Sequence, residues 1–228
     1  MVIIHIGTHK TGTKSIQKFL FEQISFLNSN GFDVYSGFHK NPKNHAELHL
    51  ASLRIERDSF AKFNSPELFI SEDYFLKVKN RVRAFLKDSK YINNIFSNED
   101  LSWLRFDDEF ERFRDIINAE QNIVKIILYI RNKSDFLKSY IKQIYAINGR
   151  VPSDDINSVL YVKENSWVLD FDKLILQYKK WFGENELTVI DYDQEIKTRN
   201  SIIPSFFEFL HLSLPGDFNI DEYYIHKS

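Results

Sequence analysis

The chain has 228 residues, of which 43% are hydrophobic, 15% aromatic and 27% charged, with a net charge of −2; this supplies one sizeable core and argues against disorder and against wholesale attraction of nucleic acid. No Cys is present, which excludes disulfides, thiolate catalysis and Cys-ligated zinc. The apolar opening is too short for a secretory signal and no run approaches the ~20 apolar residues of a membrane helix, so a cytoplasmic protein with no membrane span and no nucleic-acid partner is expected.

Val2–Ile6 reads as a buried strand that runs directly into a Gly/Thr loop. From Ser15 onward, Ile16, Phe19, Leu20, Ile24 and Leu27 recur at helical spacing. The stretch 32–66 is mixed, with Gly37, Pro42 and Asn44 marking loops. Leu68–Ser71 and Ile92–Ser97 are short strand candidates, with a helix over Tyr74–Leu86 between them. Asp108–Ala119 presents Phe110, Phe113, Ile116 and Ile117 on one helical face. Ile123–Ile130 is nearly continuous and β-branched, as a strand buried on both faces requires. Ser134 is placed to cap the helix that follows, with Phe136, Leu137, Tyr140, Ile141 and Ile144 as its apolar stripe and Gly149 and Pro152 at its end. A helix over about 170–182 stops at Gly183. Leu187–Tyr192 reads as a strand and Ile202–Leu210 as a closing helix before Pro215. Strands alternating with helices, several of them apolar throughout, predict an α/β fold: a parallel sheet flanked by helices in one domain spanning 1–228, with a loosely packed tail of about 15 residues.

The loop Gly7-Thr8-His9-Lys10-Thr11-Gly12-Thr13-Lys14-Ser15 holds two of only seven glycines. Glycine lets the backbone turn tightly and bring several N–H groups to one anion, and the following helix adds its N-terminal dipole. Two lysines and several hydroxyls complete a site suited to phosphate or sulfate oxygens; the functionless alternative is a solvated strand–helix turn. A Walker-type loop places Lys directly after the last Gly, whereas Thr13 separates Gly12 from Lys14. The string here is Lys10-Thr11-Gly12-Thr13.

That string, after an N-terminal strand, resembles the 5′-phosphosulfate loop of sulfotransferases that use 3′-phosphoadenosine 5′-phosphosulfate (PAPS), with Lys14 where a hydroxyl residue is common. A second segment, Tyr129-Ile130-Arg131 through Ser139, resembles the family's 3′-phosphate segment, and Asp135, Tyr140 and Gln143 are similar to its bacterial, carbohydrate-sulfating branch. Tyr140 is shifted by one place, and Lys133 replaces a Pro common in animal enzymes. The resemblance implies a P-loop-like sulfotransferase fold and transfer of a sulfuryl group to a hydroxyl acceptor, a small molecule or glycan, with PAPS as co-substrate and no metal. It further implies that Lys10, Thr11, Gly12, Thr13, Lys14 and Ser15 hold the 5′ end of the donor, and that Arg131 and Ser139 hold its 3′-phosphate.

Lys10 is then the cation at the leaving oxygen. Glu99, after Ser97-Asn98, is the first candidate for the base that takes the acceptor proton; the alternative is a carboxylate serving only the first turn of a helix. His45, whose ordinary pKa suits the task, is its rival, and Glu72 a third option. His5 reads as structural, and His9 could touch the nucleotide. The row Lys77, Lys79, Arg81, Arg83, Lys87 and Lys90 is either a solvated helix face or a track for an anionic glycan. Two other functions stay open at this stage: a nucleotide-dependent kinase, with Asp191 as a loose magnesium ligand, and a non-catalytic nucleotide-binding protein.

Overall fold

The first strand, β1 (Val2–Gly7), is buried at every position. A strand with this pattern belongs in the middle of a parallel sheet covered on both sides. The computed structural model, which describes residues 1–68, 70–146, 150–215 and 218–223, places it there. Its partners are β3 (Asn93–Ser97) and β4 (Val124–Ile130), flanked by β2 (Phe32–Val34) and β5 (Leu187–Asp191), in the order β2-β3-β1-β4-β5. All four pairings are parallel, and His5 lies between Ser97 and Ile127.

The helices are α1 (Thr13–Glu22), α2 (Ile24–Ser29), α3 (Ala46–Ser52), α4 (Phe60–Phe63), α5 (Glu72–Asp88), α6 (Asp107–Ile116), α7 (Lys133–Ala146), α8 (Phe171–Phe182), α9 (Tyr192–Arg199) and α10 (Ile203–Phe209). Alternation along the strands divides the core. Val2, Ile4 and Ile6 join Phe96, Ile126 and Leu128 beneath α3, α5, α6 and α8. Ile3 joins Ile95, Ile127 and Tyr129 beneath α1 and α10. The path from β1 to β2 therefore runs over one face, and the paths into β3, β4 and β5 run over the other. The reversal falls at β1, and the carboxyl ends of strands at such a point form the crevice where ligands collect in open α/β sheets. A third cluster, built from Phe60, Trp103, Phe136, Tyr140, Phe171 and neighbours, packs beside that crevice.

Several elements differ from the sequence reading. The first helix breaks at Gln23, and Ile24 is exposed. Leu68, Ile70 and Ser71 form no strand: Ser71 caps α5 by accepting from the Tyr74 N–H, while Phe69 lies outside the described residues. The helix after β4 is capped by Asn132, whose Oδ1 accepts from Ser134 and Asp135 N–H at 2.9 and 3.3 Å, so Ser134 is inside it rather than its cap. Gly149, the expected stop of that helix, lies outside the described residues. Tyr192 opens α9 instead of ending β5. In the expected loose tail, Tyr223 is buried against Phe19 and stacks with Phe218; residues 216, 217 and 224–228 lie outside the described set. In the basic row, Lys87 on α5 and Lys90 beyond it are exposed, and the other four are engaged within the fold. Lys79 and Arg83 pair with Asp115 at 2.7 and 2.6 Å, and Lys77 and Arg81 lie over Phe38.

One buried ion pair ties α6 to the segment after α3. Glu109 accepts from Arg57 Nη1 at 2.6 and 2.7 Å and from the backbone N–H groups of Arg54 and Arg105 at 3.1 and 2.8 Å. The two side chains are 0% and 8% exposed. Removing one partner strands the other charge in the interior, so Glu109→Gln is expected to cost about 3–5 kcal/mol in urea unfolding; a loss below about 1 kcal/mol would show that the pair contributes as little as a surface bridge.

Candidate active site

Where β1 ends, the loop is stitched to its neighbour before it turns. The Thr8 N–H and Oγ1 both donate to the Tyr129 carbonyl of β4, at 2.9 and 3.2 Å, and Thr11 Oγ1 donates to the Thr8 carbonyl at 2.6 Å. A Cβ on Gly7 would stand 2.3 Å from Thr13 Oγ1 and 2.5 Å from Thr11 Oγ1. Only glycine lets those hydroxyls fold onto the strand end. Gly12 takes φ 76° at the start of α1 and offers no side-chain cap to the helix. The Ser15 N–H turns back to the Gly12 carbonyl at 2.8 Å, which leaves the N–H groups of Thr13 and Lys14 ahead of it for an anion, and Thr13 Oγ1 is buried beside them with no hydrogen-bond partner.

The cations converge on the same end of the sheet. Lys10 and Lys14 are exposed, and Arg131, just beyond β4, donates from Nη1 to the Lys10 carbonyl at 3.1 Å. Partial burial, then the charges of Lys14 and Arg131, hold the Lys10 ammonium below the usual lysine value. Lys10 itself takes φ 69°, a left-handed conformation that costs a non-glycine residue about 1–2 kcal/mol.

Across from the loop, Asn98 caps the 3₁₀ turn Glu99–Trp103 that follows β3. The Glu99 carboxylate accepts from Gln17 Nε2 of α1 at 3.0 Å and from Asn44 Nδ2 at 3.3 Å. Burial first, then the neighbouring Asp100 charge, push Glu99 above the ordinary carboxylate range. Asp100 goes the other way. Burial alone would raise it, but the hydrogen bond from His9 Nε2 at 2.9 Å and the charges of His9 and His49 hold it low. His9 is stacked on Trp103, ring centres 4.1 Å apart, and does not face outward as a nucleotide contact would. The His9–Asp100 and Gln17–Glu99 bonds tie the loop and α1 to the 3₁₀ turn, so the segments that carry Lys10 and Glu99 are held to one another. Sequence reasoning passed over Gln17, Asn44 and Asp100; the signal available was adjacency, His9 before Lys10 and Asp100 after Glu99.

The other sequence candidates fall elsewhere. His45 is 1% exposed, its Nδ1 accepts from the Ser97 N–H at 2.9 Å, and burial lowers its pKa to about 3. His5 meets the Ser97 hydroxyl at 2.7 Å and is likewise lowered to about 3 by burial and then by His45. Both stay neutral inside the fold at ordinary pH. Glu72 is exposed at the start of α5 and pairs with Arg112 at 3.3 Å. Ser15 and Ser139 are half-buried on α1 and α7. A cleft of about 430 Å³ opens beside the loop, lined by Arg131, Lys133, Phe171, Asp191, Asp193 and Lys197 among others; neither the loop nor Ser139 contributes to its lining. Among the described residues, no group of three or more His, Asp or Glu side chains is placed to hold a metal ion, and no helix is long and apolar enough to cross a membrane.

The architecture is that of solved sulfotransferases. A sulfotransferase from Alicyclobacillus acidocaldarius is similar over 95% of this chain and 82% of its own, with a TM-score of 0.58 and 17% sequence identity. The sulfotransferase domain from the curacin biosynthetic pathway is similar over 98% of this chain and 78% of its own, with a TM-score of 0.50 and 12% identity. The five-stranded parallel sheet flanked by helices is therefore the sulfotransferase, P-loop-like fold. No protein-family model matches the sequence, and neither does any curated relative.

The raised Glu99 has a consequence for stability. A carboxyl whose folded pKa exceeds its unfolded value stabilises the fold while protonated, and that stabilisation is lost as pH rises through the folded pKa. Glu99→Gln removes the ionisation. The variant is expected to melt higher than wild type at pH 8 and to converge with it as pH falls below the ordinary carboxylate range. Differential scanning calorimetry across pH 3.5–8 checks this; a lower melting temperature at pH 8 would mean that the Gln17 and Asn44 bonds outweigh the burial of the charge.

Proposed function

We propose that the chain is a sulfotransferase that moves a sulfuryl group from PAPS to a hydroxyl acceptor, a carbohydrate in the narrower reading. One observation carries it: Lys10, Lys14 and Arg131 crowd around an uncapped helix start, while a carboxyl of raised pKa is hydrogen-bonded to that same helix through Gln17. Crowded cations call for a polyanionic substrate. A carboxyl raised by burial, on a turn hydrogen-bonded to the same helix, is suited to act as a base. The orphaned Thr13 hydroxyl, which the missing Cβ of Gly7 allows to fold against the strand end, suits a phosphate or sulfate oxygen. The carbohydrate acceptor rests on the likeness of the segment 131–143 to the bacterial branch.

In this reading the donor supplies an activated sulfuryl group on a phosphate oxygen. The acceptor hydroxyl attacks sulfur, the bond from sulfur to the phosphate oxygen breaks, and the electron pair leaves with that oxygen. Lys10 and the loop N–H groups stabilise the charge that develops there, which is where positioned donors contribute most. Glu99 takes the acceptor proton. Gln17 and Asn44 orient its two oxygens, and Asp100, engaged with His9, stays ionised and adds to the raised pKa of its neighbour. His45, buried and neutral, has no part in the reaction. Arg131 and Ser139 are assigned to the 3′-phosphate.

The first test is ligand preference. Adenosine 3′,5′-bisphosphate at about a hundred times its dissociation constant should stabilise the protein by roughly 2.7 kcal/mol, and ATP with magnesium should not; the reverse preference would replace this reading with a P-loop kinase. Lys10→Met should lower kcat by about 10²–10³-fold. The acid limb of kcat/KM should lie above the ordinary carboxylate range, because Glu99 must be ionised to act, and it should move further up in Gln17→Leu, which removes a bond that favours the ionised form. An unchanged limb in both Gln17→Leu and Glu99→Gln would remove Glu99 as the base.

A further inference from the structure

Arg131 is already committed in the free protein. Its Nη1 is spent on the Lys10 carbonyl at 3.1 Å. Its Nη2 faces Asp193 Oδ1 at 3.4 Å, and the second oxygen of Asp193 accepts from the Asn132 N–H at 2.6 Å. A planar guanidinium edge together with a backbone N–H at a helix start is the donor set that a phosphate uses. Asp193 thus stands where an anionic substrate group would bind. The contact to the guanidinium is long and Asp193 is 35% exposed, so Arg131 is held weakly, and the shorter bond to the Asn132 N–H is the main tie to be exchanged. Arg131 Nε is buried with no hydrogen-bond partner, which leaves the guanidinium incompletely satisfied by Asp193.

The surrounding cleft has an uneven charge. Arg131, Lys133 and Lys197 line it together with Asp172, Asp191 and Asp193. Asp191 is fixed as the cap of α9, accepting from the Gln194 N–H at 3.0 Å, and Asp172 faces Lys133 at 3.7 Å. Only Asp193 sits on the anion-binding groups themselves. It belongs to the first turn of a helix with no fully buried residue, so turning its side chain away disturbs little packing.

We propose that Asp193 is a specificity-determining residue for the donor: it occupies the Arg131 edge and the Asn132 amide in the free protein, and the donor's 3′-phosphate binds by displacing it. The contribution of that phosphate to affinity is set by this exchange. The inference rests on the reading of PAPS as donor, and it goes beyond that reading by naming a residue that works against the phosphate.

Calorimetric titration separates the two. Wild type, Asp193→Asn and Asp193→Ser are each titrated with adenosine 3′,5′-bisphosphate and with adenosine 5′-monophosphate at one ionic strength. Removing the competing charge should tighten the bisphosphate by about three- to tenfold and leave the monophosphate within about twofold. Asn keeps an acceptor for the Asn132 N–H, and Ser shortens the side chain; both should give the same sign. Equal changes for the two nucleotides, no change, or weaker bisphosphate binding would overturn the proposal, the last by showing that Asp193 positions Arg131 for the phosphate. A wild type that binds neither nucleotide sinks the donor reading itself, and the role of Asp193 with it.

Discussion

Three cationic groups, Lys10, Lys14 and Arg131, are held together at the carboxyl end of a buried parallel sheet, and much of the remaining structure exists to hold them there. Partial burial and then the repulsion of Lys14 and Arg131 lower Lys10. The loop withstands that repulsion because its backbone is anchored on both sides: Thr8 to the Tyr129 carbonyl, and the Lys10 carbonyl to Arg131. The anchors work because β1 lies between β3 and β4 with every residue buried, which leaves the loop no freedom of register. The C-terminal helix α10 contributes from behind. Ile202, which leads into it, stands 3.0 Å from where a Cβ on Gly12 would be, so the turn into α1 is backed by the core.

The two adjacent carboxyls on the far side show how position divides one chemistry into two roles. Glu99 and Asp100 share a 3₁₀ turn, yet one is pushed up and the other held down. Asp100 has a charged or chargeable partner in His9, and that bond runs back to the loop. Glu99 has only neutral amide donors, Gln17 and Asn44, which orient a carboxylate without neutralising its charge. Pairs of titratable groups whose environments drive them apart mark acid–base assignments. Here the member held low is tied to the loop through His9, and the member pushed up is the one the proposed reaction uses.

The large apolar elements were legible in the sequence because burial leaves a periodic mark. β1, β4, α5, α6, α8 and α10 lie close to where the spacing put them. What escaped notice had no such mark. β2 is a three-residue edge strand, too short to show alternation. α9 buries none of its residues, and its signals are Asp191 at the cap, acids in the first turn and bases in the last. The site was readable as a set of residue types, Lys10, Arg131 and Glu99, but its wiring was not. Bonds from His9 to Asp100 and from Gln17 to Glu99 span 91 and 82 positions and depend on which strand lies beside which. The burial of His45 was likewise not readable: the sequence offers an ordinary histidine pKa, and the fold lowers it to about 3.

Arg131 joins the two halves of the site in a way that neither motif suggests alone. Its guanidinium spans a carbonyl of the glycine loop on one side and the 430 Å³ cleft on the other. The carbonyl it holds belongs to Lys10, the one residue of the loop other than Gly12 with a positive φ. A left-handed lysine persists only where its surroundings hold it, and Arg131 is part of that restraint. A group binding in the cleft therefore acts on the same guanidinium that steadies the lysine at the other end. The two ends of the site are mechanically one, and the effect of losing Arg131 cannot be apportioned to the cleft alone.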